Sequence, residues 1–253
     1  MKILYIAWRC QEDKSWTTVG CLKKCVDGYT FFYTKGAERA RNFFPFGRMD
    51  DFKKIYKSEE LFPFIQNRLL NESRSEFKDY LRWLNFSKNT YDPLEALALT
   101  EGRRGTDSIE IFPCPQKNKH YMITFFCHGI NHMSEATKNV LLHIKTGDTL
   151  YLMKDCMNRY DKNAIALRTD DPATLVGYCP RYLTTDLYKI LESEEPDLIS
   201  CKVSLFNSDA PMQLKLLCTL KAHWPDNFAP CSGSDFLPIP KADGKCIKCE
   251  NFE

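Results

Sequence analysis

The sequence predicts an α+β protein of two domains, each built from short strands and a few helices. Three observations favour this fold class. The 253 residues exceed the length of a common single domain. Short segments rich in β-branched and aromatic residues recur in both halves, and a polar, proline-marked segment at 113–119 separates the halves. We expect a first domain at 1–115, a second at 119–223 and a tail at 224–253.

The first domain is expected to open with a small antiparallel meander. Its strand candidates alternate with turn signals, Glu12-Asp13-Lys14 after the first and Asp27-Gly28 after the second. A further strand, SIEIF, closes the domain. The meander candidates are KILYIAW, TTVGCL and YTFFYT.

Helices are expected between the meander and the closing strand. Ser58 is a candidate cap for a helix through 61–65, and Ser73 with Glu76 fits a capping box before the next apolar run. Asp92 precedes a proline at the first helical position of DPLEALALTEG, and Gly102 stands near the end of that helix.

The second domain is expected to be β-rich with one helix. Its apolar runs are short and bounded by turn residues, which is typical of strands. The helix is RYLTTDLYKILES, and the strand candidates are YMITFFCHGI, TLYLMK, NAIALR, TLVGYC, LISCKVSLF and QLKLLCTLKA.

Composition limits the function classes. The apolar and charged fractions, 43% and 27%, are those of a soluble globular protein. A formal net charge of +2 gives no overall basic field, so any nucleic-acid contact has to be local. No stretch approaches the roughly 20 apolar residues of a membrane span. Several of the 12 cysteines sit in apolar runs, which suits reduced thiols, and we expect a cytoplasmic protein without a membrane partner.

No catalytic or cofactor motif is recognisable, so we expect a protein that is not an enzyme. Spacing gives no Ser-His-Asp, HExxH or P-loop arrangement. Cys246 and Cys249 have the spacing of a zinc knuckle, and His223 and Cys231 are further ligand types, but a second CxxC is missing. Unliganded thiols are the favoured interpretation, and neither a metal nor another cofactor is expected.

The segment NRYDKNAIAL, residues 158–167, combines turn formation with an aromatic ring. Asn158 and Asp161 favour a turn because their short side chains bond nearby backbone amides. Tyr160 between them is a candidate stacking platform for a base. Tyr178 and Arg181 follow as a second aromatic residue with a cation. The alternative is structural, with the rings packed on the fold and Arg181 solvated.

The run from 122 to 191 resembles a HIRAN domain, through GINH, GDTLYLMKDCMNRYDKNAIAL and VGYCPRYL in that order. The resemblance implies an OB-like antiparallel β-barrel that binds single-stranded DNA and captures a free 3′-hydroxyl end, in a protein of bacterial origin. Asn158, Tyr160 and Asp161 match the N-x-Y-D segment of the family. The resemblance implies that the ring stacks on the terminal base, that Asp161 accepts from the terminal hydroxyl, that Asn158 helps to read the sugar, and that Arg181 meets a phosphate.

The chain departs from the family pattern at the pocket. Tyr178 stands where the DNA-end binders carry histidine, which keeps an aromatic ring and changes its hydrogen bonding. His132 stands near a tyrosine position, with Asn131 beside it in place of arginine. Within the resemblance, Asn131 and His132 are further candidate nucleic-acid contacts.

The first domain resembles the N-terminal subdomain of HipA-type kinases, through the strand containing VGCL, the strand at 28–34, the helix at 60–70 and DPLEALALTEG with SIEIFP. That subdomain lacks the phosphoryl-transfer residues and contributes to a partner interface. It implies an alternative function, a regulatory protein that binds a kinase partner through its N-terminal domain. A basic and aromatic cluster in this domain is either a single-strand track or a packed loop: Arg39, Arg41, Phe43, Phe44, Phe46 and Arg48.

Overall fold

The computed structural model describes residues 2–193, 198–242 and 245–246, with backbone alone from 241 onward. The chain falls into two compact units. The first groups 2–77 and 91–114 with the described residues from 229 onward, and the second groups 78–90 with 115–228. Each unit combines an antiparallel sheet with helices, so the predicted α+β class is confirmed. The domain limits drawn from the sequence stay a prediction.

The first unit is built on a five-stranded sheet in the order β4-β3-β2-β1-β5. Its strands are β1 (Ile3–Arg9), β2 (Trp16–Cys25), β3 (Gly28–Tyr33), β4 (Tyr56–Ser58) and β5 (Ile109–Pro113). The predicted meander forms β1 to β3, and the closing strand pairs with the other edge of β1, where Tyr5 faces Phe112. Two further short strands follow in the tail, β12 (Lys241–Ala242) and β13 (Lys245–Cys246).

The helices of the N-terminal half are short. They are α1 (Lys35–Arg39), α2 (Pro63–Gln66), α3 (Phe77–Trp83) and α4 (Pro93–Thr100). The start of α4 was predicted correctly, since Asp92 Oδ1 accepts hydrogen bonds from the amides of Leu94 at 2.8 Å and Glu95 at 3.2 Å. These bonds satisfy amides that have no partner within the helix.

Two predicted helix caps were wrong. Ser58 belongs to β4 and faces Tyr29 of β3, so its backbone is extended, and α2 begins only at Pro63. Ser73 donates through its amide and its hydroxyl to Asn71 Oδ1, at 2.9 and 2.8 Å, which holds a local turn before α3. Neither serine caps a helix, because the backbone at Ser58 pairs with β3 and the amide of Ser73 bonds to Asn71.

Most of the basic and aromatic cluster near α1 is engaged within the first unit, while Phe44 is 79% exposed. Phe46 stacks on Phe64 with ring centroids 4.6 Å apart, and Phe43 packs edge to face on Phe46. Arg39 pairs with Asp235, and Arg41 pairs with Glu12. These contacts favour the packed-loop interpretation over a single-strand track.

The second unit is a six-stranded sheet in the order β6-β11-β10-β7-β8-β9. The strands are β6 (His120–Phe126), β7 (Thr149–Lys154), β8 (Ile165–Arg168), β9 (Leu175–Tyr178), β10 (Ser200–Phe206) and β11 (Leu216–His223). A bridge between His128, just after β6, and Tyr178 at the end of β9 joins the two ends of the sheet. The sheet therefore curls into the predicted OB-like barrel.

In the described part of the second unit, α5 (Glu135–Leu141) and α6 (Arg181–Ser193) accompany the barrel, and residues 78–83 of α3 are grouped with it as well. Helix α6 was predicted and α5 was not. Leu183, Leu187 and Ile190 lie on one face of α6 and are fully buried in the barrel core. The core also contains cysteines, all free thiols as the sequence indicated: Cys127, Cys179, Cys201 and Cys218.

Among the described residues, none of the helices combines the length and the apolar character needed to cross a membrane.

Candidate nucleic-acid interface

A pocket of about 340 Å³ opens on the barrel where β9 ends and α6 begins. The predicted site residues that line it are His132, Asn158, Tyr160, Asp161, Tyr178 and Arg181. They come from three places in the chain, and the fold brings them together. Asn131 is exposed and is not part of the pocket wall.

The closure of the barrel builds one wall of this pocket. The amide of His128 donates to the carbonyl of Tyr178 and the amide of Tyr178 donates to the carbonyl of His128, both at 2.9 Å. The strands approach so closely that a Cβ at Gly177 would overlap the Cys127 sulfur and the His128 carbonyl oxygen. Gly177 also has φ +153°, a conformation that L side chains rarely adopt, so glycine is required here.

The loop after β7 is organised by Asn158. Its Oδ1 accepts the amides of Tyr160 at 3.0 Å and Asp161 at 3.1 Å, and its Nδ2 donates to Asp155 Oδ2 at 3.1 Å. This is the side-chain-stabilised turn that the sequence indicated. These bonds fix the backbone of Tyr160 and Asp161, which both line the pocket.

Tyr160 presents its ring to solvent and is 89% exposed. Its backbone carbonyl accepts a hydrogen bond from Arg181 Nη2 at 3.1 Å, so the backbone of Tyr160 is held in place while its ring stays uncovered. A large aromatic side chain with this exposure contributes little to the core. The structural alternative, in which the ring packs on the barrel, is therefore not what the fold adopts.

Asp161 and Arg181 form the charged part of the pocket. Asp161 Oδ1 accepts the amide of Asn163 at 3.0 Å, and its Oδ2 lies 3.4 Å from Arg181 Nε. Arg181 is the first residue of α6 and is exposed, whereas Asp161 is half-buried. Arg181 Nη2 donates to the carbonyl of Tyr160, and Nε faces the Asp161 carboxylate. The guanidinium has five N–H donors, so further donors remain for a ligand.

Asp155 was missed by the sequence analysis although it fixes the orientation of Tyr178. The Tyr178 hydroxyl donates to Asp155 Oδ2 at 2.9 Å. The pKa of Asp155 lies below its ordinary value because the Asn158 amide and the Tyr178 hydroxyl both donate to the carboxylate. The pKa of Tyr178 is raised, first by partial burial and then by this carboxylate. The only local signal was a carboxylate at the end of a strand, three residues before Asn158.

Five residues that line the pocket were not predicted as site residues: His128, Gly129, Met133, Ala164 and Cys179. His128, Gly129 and Met133 line it beside His132, at and around the short 3₁₀ helix Ile130–His132. Gly129 has φ +73° and packs against the Tyr178 ring, where a Cβ would be 3.2 Å from the ring carbon Cδ2. The GINH segment of the family resemblance, residues 129–132, contains Gly129, and His128 and Met133 flank it.

The arrangement is suited to binding a flat polar ligand. It offers an uncovered ring, a second ring held by a hydrogen bond, a carboxylate acceptor and a guanidinium donor. Cys179, the one thiol on its wall, is buried, and burial raises its pKa well above the ordinary value, which opposes formation of a thiolate nucleophile.

The described residues contain no cluster of three His, Cys, Asp or Glu side chains that would hold a metal ion. The predicted ligand types at the C-terminus are only partly covered, since Cys249 and the side chain of Cys246 lie outside the described residues.

Comparisons with known proteins identify the second unit. Residues 120–224 match the model of the HIRAN domain. Among solved structures, a Lactobacillus plantarum protein is 18% identical, with a TM-score of 0.34, 41% of this chain covered and 96% of the other. The HIRAN domain of human HLTF is 17% identical, with a TM-score of 0.32, 42% of this chain covered and 77% of the other. No curated protein matches the chain.

None of these matches supports the predicted resemblance of the first domain to HipA-type kinases. The match to the family model begins at the first residue of β6 and ends one residue after β11, so it covers the barrel and its pocket. Residues 120–224 form a HIRAN domain, and at this level the chain carries a domain of a nucleic-acid-binding family.

Proposed function

We propose that the protein binds single-stranded DNA at a free 3′-hydroxyl end, in the pocket of the HIRAN domain, and that it binds without catalysing a reaction. The observation that carries the proposal is the position of Tyr160, whose ring is 89% exposed at the edge of a pocket that also holds Asp161 and Arg181. A base stacks on the ring, and sequence-independent stacking of this kind contributes about 1–3 kcal/mol per base.

A single strand or a strand end fits this pocket better than a continuous duplex. Inside a duplex both faces of each base are covered by neighbouring bases, so a protein ring stacks only on a base that is unstacked or terminal. The pocket of about 340 Å³ offers a concave wall rather than an extended groove. The formal net charge of +2 also suits local recognition better than binding along a duplex.

The charges of the pocket favour a hydroxyl over a phosphate at the strand end. Asp161 lines the pocket, Asp155 accepts hydrogen bonds from two further lining residues, Asn158 and Tyr178, and the Arg181 guanidinium already lies against Asp161. A terminal hydroxyl donates to a carboxylate, whereas a terminal phosphate brings about two negative charges and accepts only. The geometry therefore supports Asp161 as acceptor for the terminal hydroxyl, with Arg181 toward the preceding phosphate.

The test is fluorescence anisotropy of the purified chain with a short strand labelled at its 5′ end, carrying either a 3′-hydroxyl or a 3′-phosphate. We expect the hydroxyl strand to bind several-fold more tightly. The substitution Asp161→Asn keeps an acceptor for the Asn163 amide and removes the charge, so the preference is expected to disappear. Asp170→Asn, an exposed carboxylate outside the pocket, is the matched control. Equal affinity of the wild type for both ends contradicts end capture, and absence of binding to either strand contradicts the whole proposal.

A further inference from the structure

The outer face of the strands β6, β11 and β10 carries positive charge away from the pocket. These strands are neighbours in the sheet, and alternate residues point outward. Cross-strand partners on this side are His120 with His223 and Met122 with Lys221. Lys202 of β10 faces Thr219 of β11. We call this surface the basic face: His120, Lys202, Lys221 and His223 with the polar residues between them, and Lys119, just before β6, lies near His120.

The three strands contain no aspartate or glutamate. Lys202, Lys221 and His223 are exposed, and among the described residues neither lysine has a carboxylate within ion-pair distance. The pKa of His120 is lowered by partial desolvation and then by Lys221, Lys119 and His223, so the positive charge of this face near neutral pH comes from its lysines. Like charges on neighbouring strands are unfavourable unless an anion offsets them.

Hydroxyl groups lie beside the lysines, since Thr219 faces Lys202 and is two residues from Lys221 on β11. Thr124 Oγ1 and Thr219 Oγ1 are 2.9 Å apart, and Ser204 Oγ is 2.7 Å from Thr219 Oγ1, which forms a ladder across the three strands. Lysine, threonine and serine are side chains that commonly contact phosphate oxygens. Met122, 64% exposed in the same surface, adds an apolar contact. The face therefore matches a chain of phosphates with apolar groups beside it.

The basic face is connected to the pocket through β6. The strand begins at His120 on this face, and the chain that continues it reaches His128 and Gly129 in the pocket wall. Along an extended chain the distance from His120 to His128 is at most about 26 Å. A single strand of several nucleotides spans that distance.

We propose that the basic face binds the phosphate backbone of the same single-stranded nucleic acid whose end occupies the pocket. This inference rests on the proposed function, since the pocket supplies the anchor from which the strand extends. Lys202 and Lys221 contact phosphates, and the hydroxyl ladder lies beside them. Recognition of the end and retention of the strand are then carried by different surfaces of one barrel.

The test compares two strand lengths and follows their salt dependence. Binding of a 3′-hydroxyl trinucleotide and of a 20-nucleotide strand is measured by anisotropy from 0.05 to 0.3 M salt. The variant Lys202→Gln/Lys221→Gln is expected to lower the slope of log K against log salt by about 1.4 for the long strand, at about 0.7 per phosphate contact. If the affinities converge at 1 M salt, that slope corresponds to about 25-fold weaker binding at 0.1 M. The trinucleotide is expected to bind the variant as it binds the wild type.

Two control variants isolate the effect of position and of charge. Lys88→Gln/Lys138→Gln removes the same charge from exposed lysines outside these strands and is expected to bind like the wild type. Lys202→Arg/Lys221→Arg keeps the charge and is expected to retain long-strand binding. Thermal melting of each variant checks that the fold is intact.

The outcomes separate the two proposals. An unchanged slope in the Gln variant, with tight trinucleotide binding, overturns the basic face and leaves the pocket function standing. A reduced slope together with no effect of Tyr160→Ala supports the basic face as a nucleic-acid surface and overturns the pocket function. Failure of the wild type to bind either strand overturns both.

Discussion

Replacement of Tyr160 by alanine tests what this ring contributes to binding separately from what it contributes to folding. The ring is 89% exposed, so its removal creates no cavity in the core. The backbone of residue 160 is held by the Asn158 side chain and by Arg181 through groups that the substitution leaves in place. We therefore expect the loop to keep its conformation in Tyr160→Ala.

The expected loss of affinity follows from the stacking energy. One base on an aromatic ring contributes about 1–3 kcal/mol, which corresponds to about a 5- to 150-fold increase in Kd. The stability of the fold is expected to change by less than about 0.5 kcal/mol, because surface substitutions away from special features usually stay within that range. A large effect on Kd with a small effect on stability is the signature of a binding residue.

Met157→Ala is the matched control, since Met157 lies in the same loop and is also 89% exposed. Anisotropy with a 3′-hydroxyl strand gives Kd for wild type and both variants, and urea denaturation gives the free energy of unfolding. Tyr160→Ala is expected to weaken binding while Met157→Ala does not. An equal Kd for wild type and Tyr160→Ala would refute stacking on this ring, and a similar loss in both variants would assign the effect to the loop as a whole.

Two further predictions concern the walls of the pocket. A double-mutant cycle of Asp155→Ala and Tyr178→Phe is expected to give a coupling free energy of about 1 kcal/mol in urea denaturation at pH 7. A hydrogen bond to a charged acceptor is usually stronger, but solvent near this pair weakens it. The pKa of Asp155 is lower in the folded state than its unfolded value of about 3.9, so the stabilisation is complete above that unfolded value. The stabilisation is lost as pH falls through the folded pKa. A coupling that is zero at pH 7, or that grows toward pH 3, would contradict the hydrogen bond. Gly177→Ala is expected to destabilise the fold by about 2–3 kcal/mol through its positive φ and its overlap with the Cys127 sulfur. Gly105→Ala, with nothing within 4 Å of its Cβ, is the control, and equal melting temperatures for the two variants would contradict the close approach.

Local signals predicted the elements that local bonds determine. Asp92 caps α4 through the amides two and three residues ahead, so its partners were visible in the sequence. Ser58 and Ser73 carried the same kind of signal and were predicted wrongly. Ser58 pairs with a strand far back in the chain, and Ser73 is held by Asn71 instead. A capping pattern therefore predicts a helix start only where no other partner competes for the backbone.

In the candidate site too, contacts between residues close in sequence were predicted and contacts between distant residues were not. The turn around Asn158 was visible because its bonds are local, and the family resemblance named most of the residues that line the pocket. Asp155 was not found because its partner, Tyr178, lies on another strand and becomes a neighbour only in the closed barrel. Asn131 was proposed because it stands beside His132 in place of an arginine of the family, but adjacent residues of a short helix point in different directions, and of these two only His132 lines the pocket.

The two hydrogen bonds between His128 and Tyr178 close the barrel, and both residues also line the pocket. We call this pair of hydrogen bonds the seam of the barrel. Because the same two residues line the pocket, any opening of the seam disrupts the binding surface. A ligand that binds only the closed form opposes that opening in proportion to its occupancy. At a free concentration 100 times its Kd, such a ligand holds the seam closed by about 2.7 kcal/mol, so occupancy of this pocket is coupled to the local stability of the barrel.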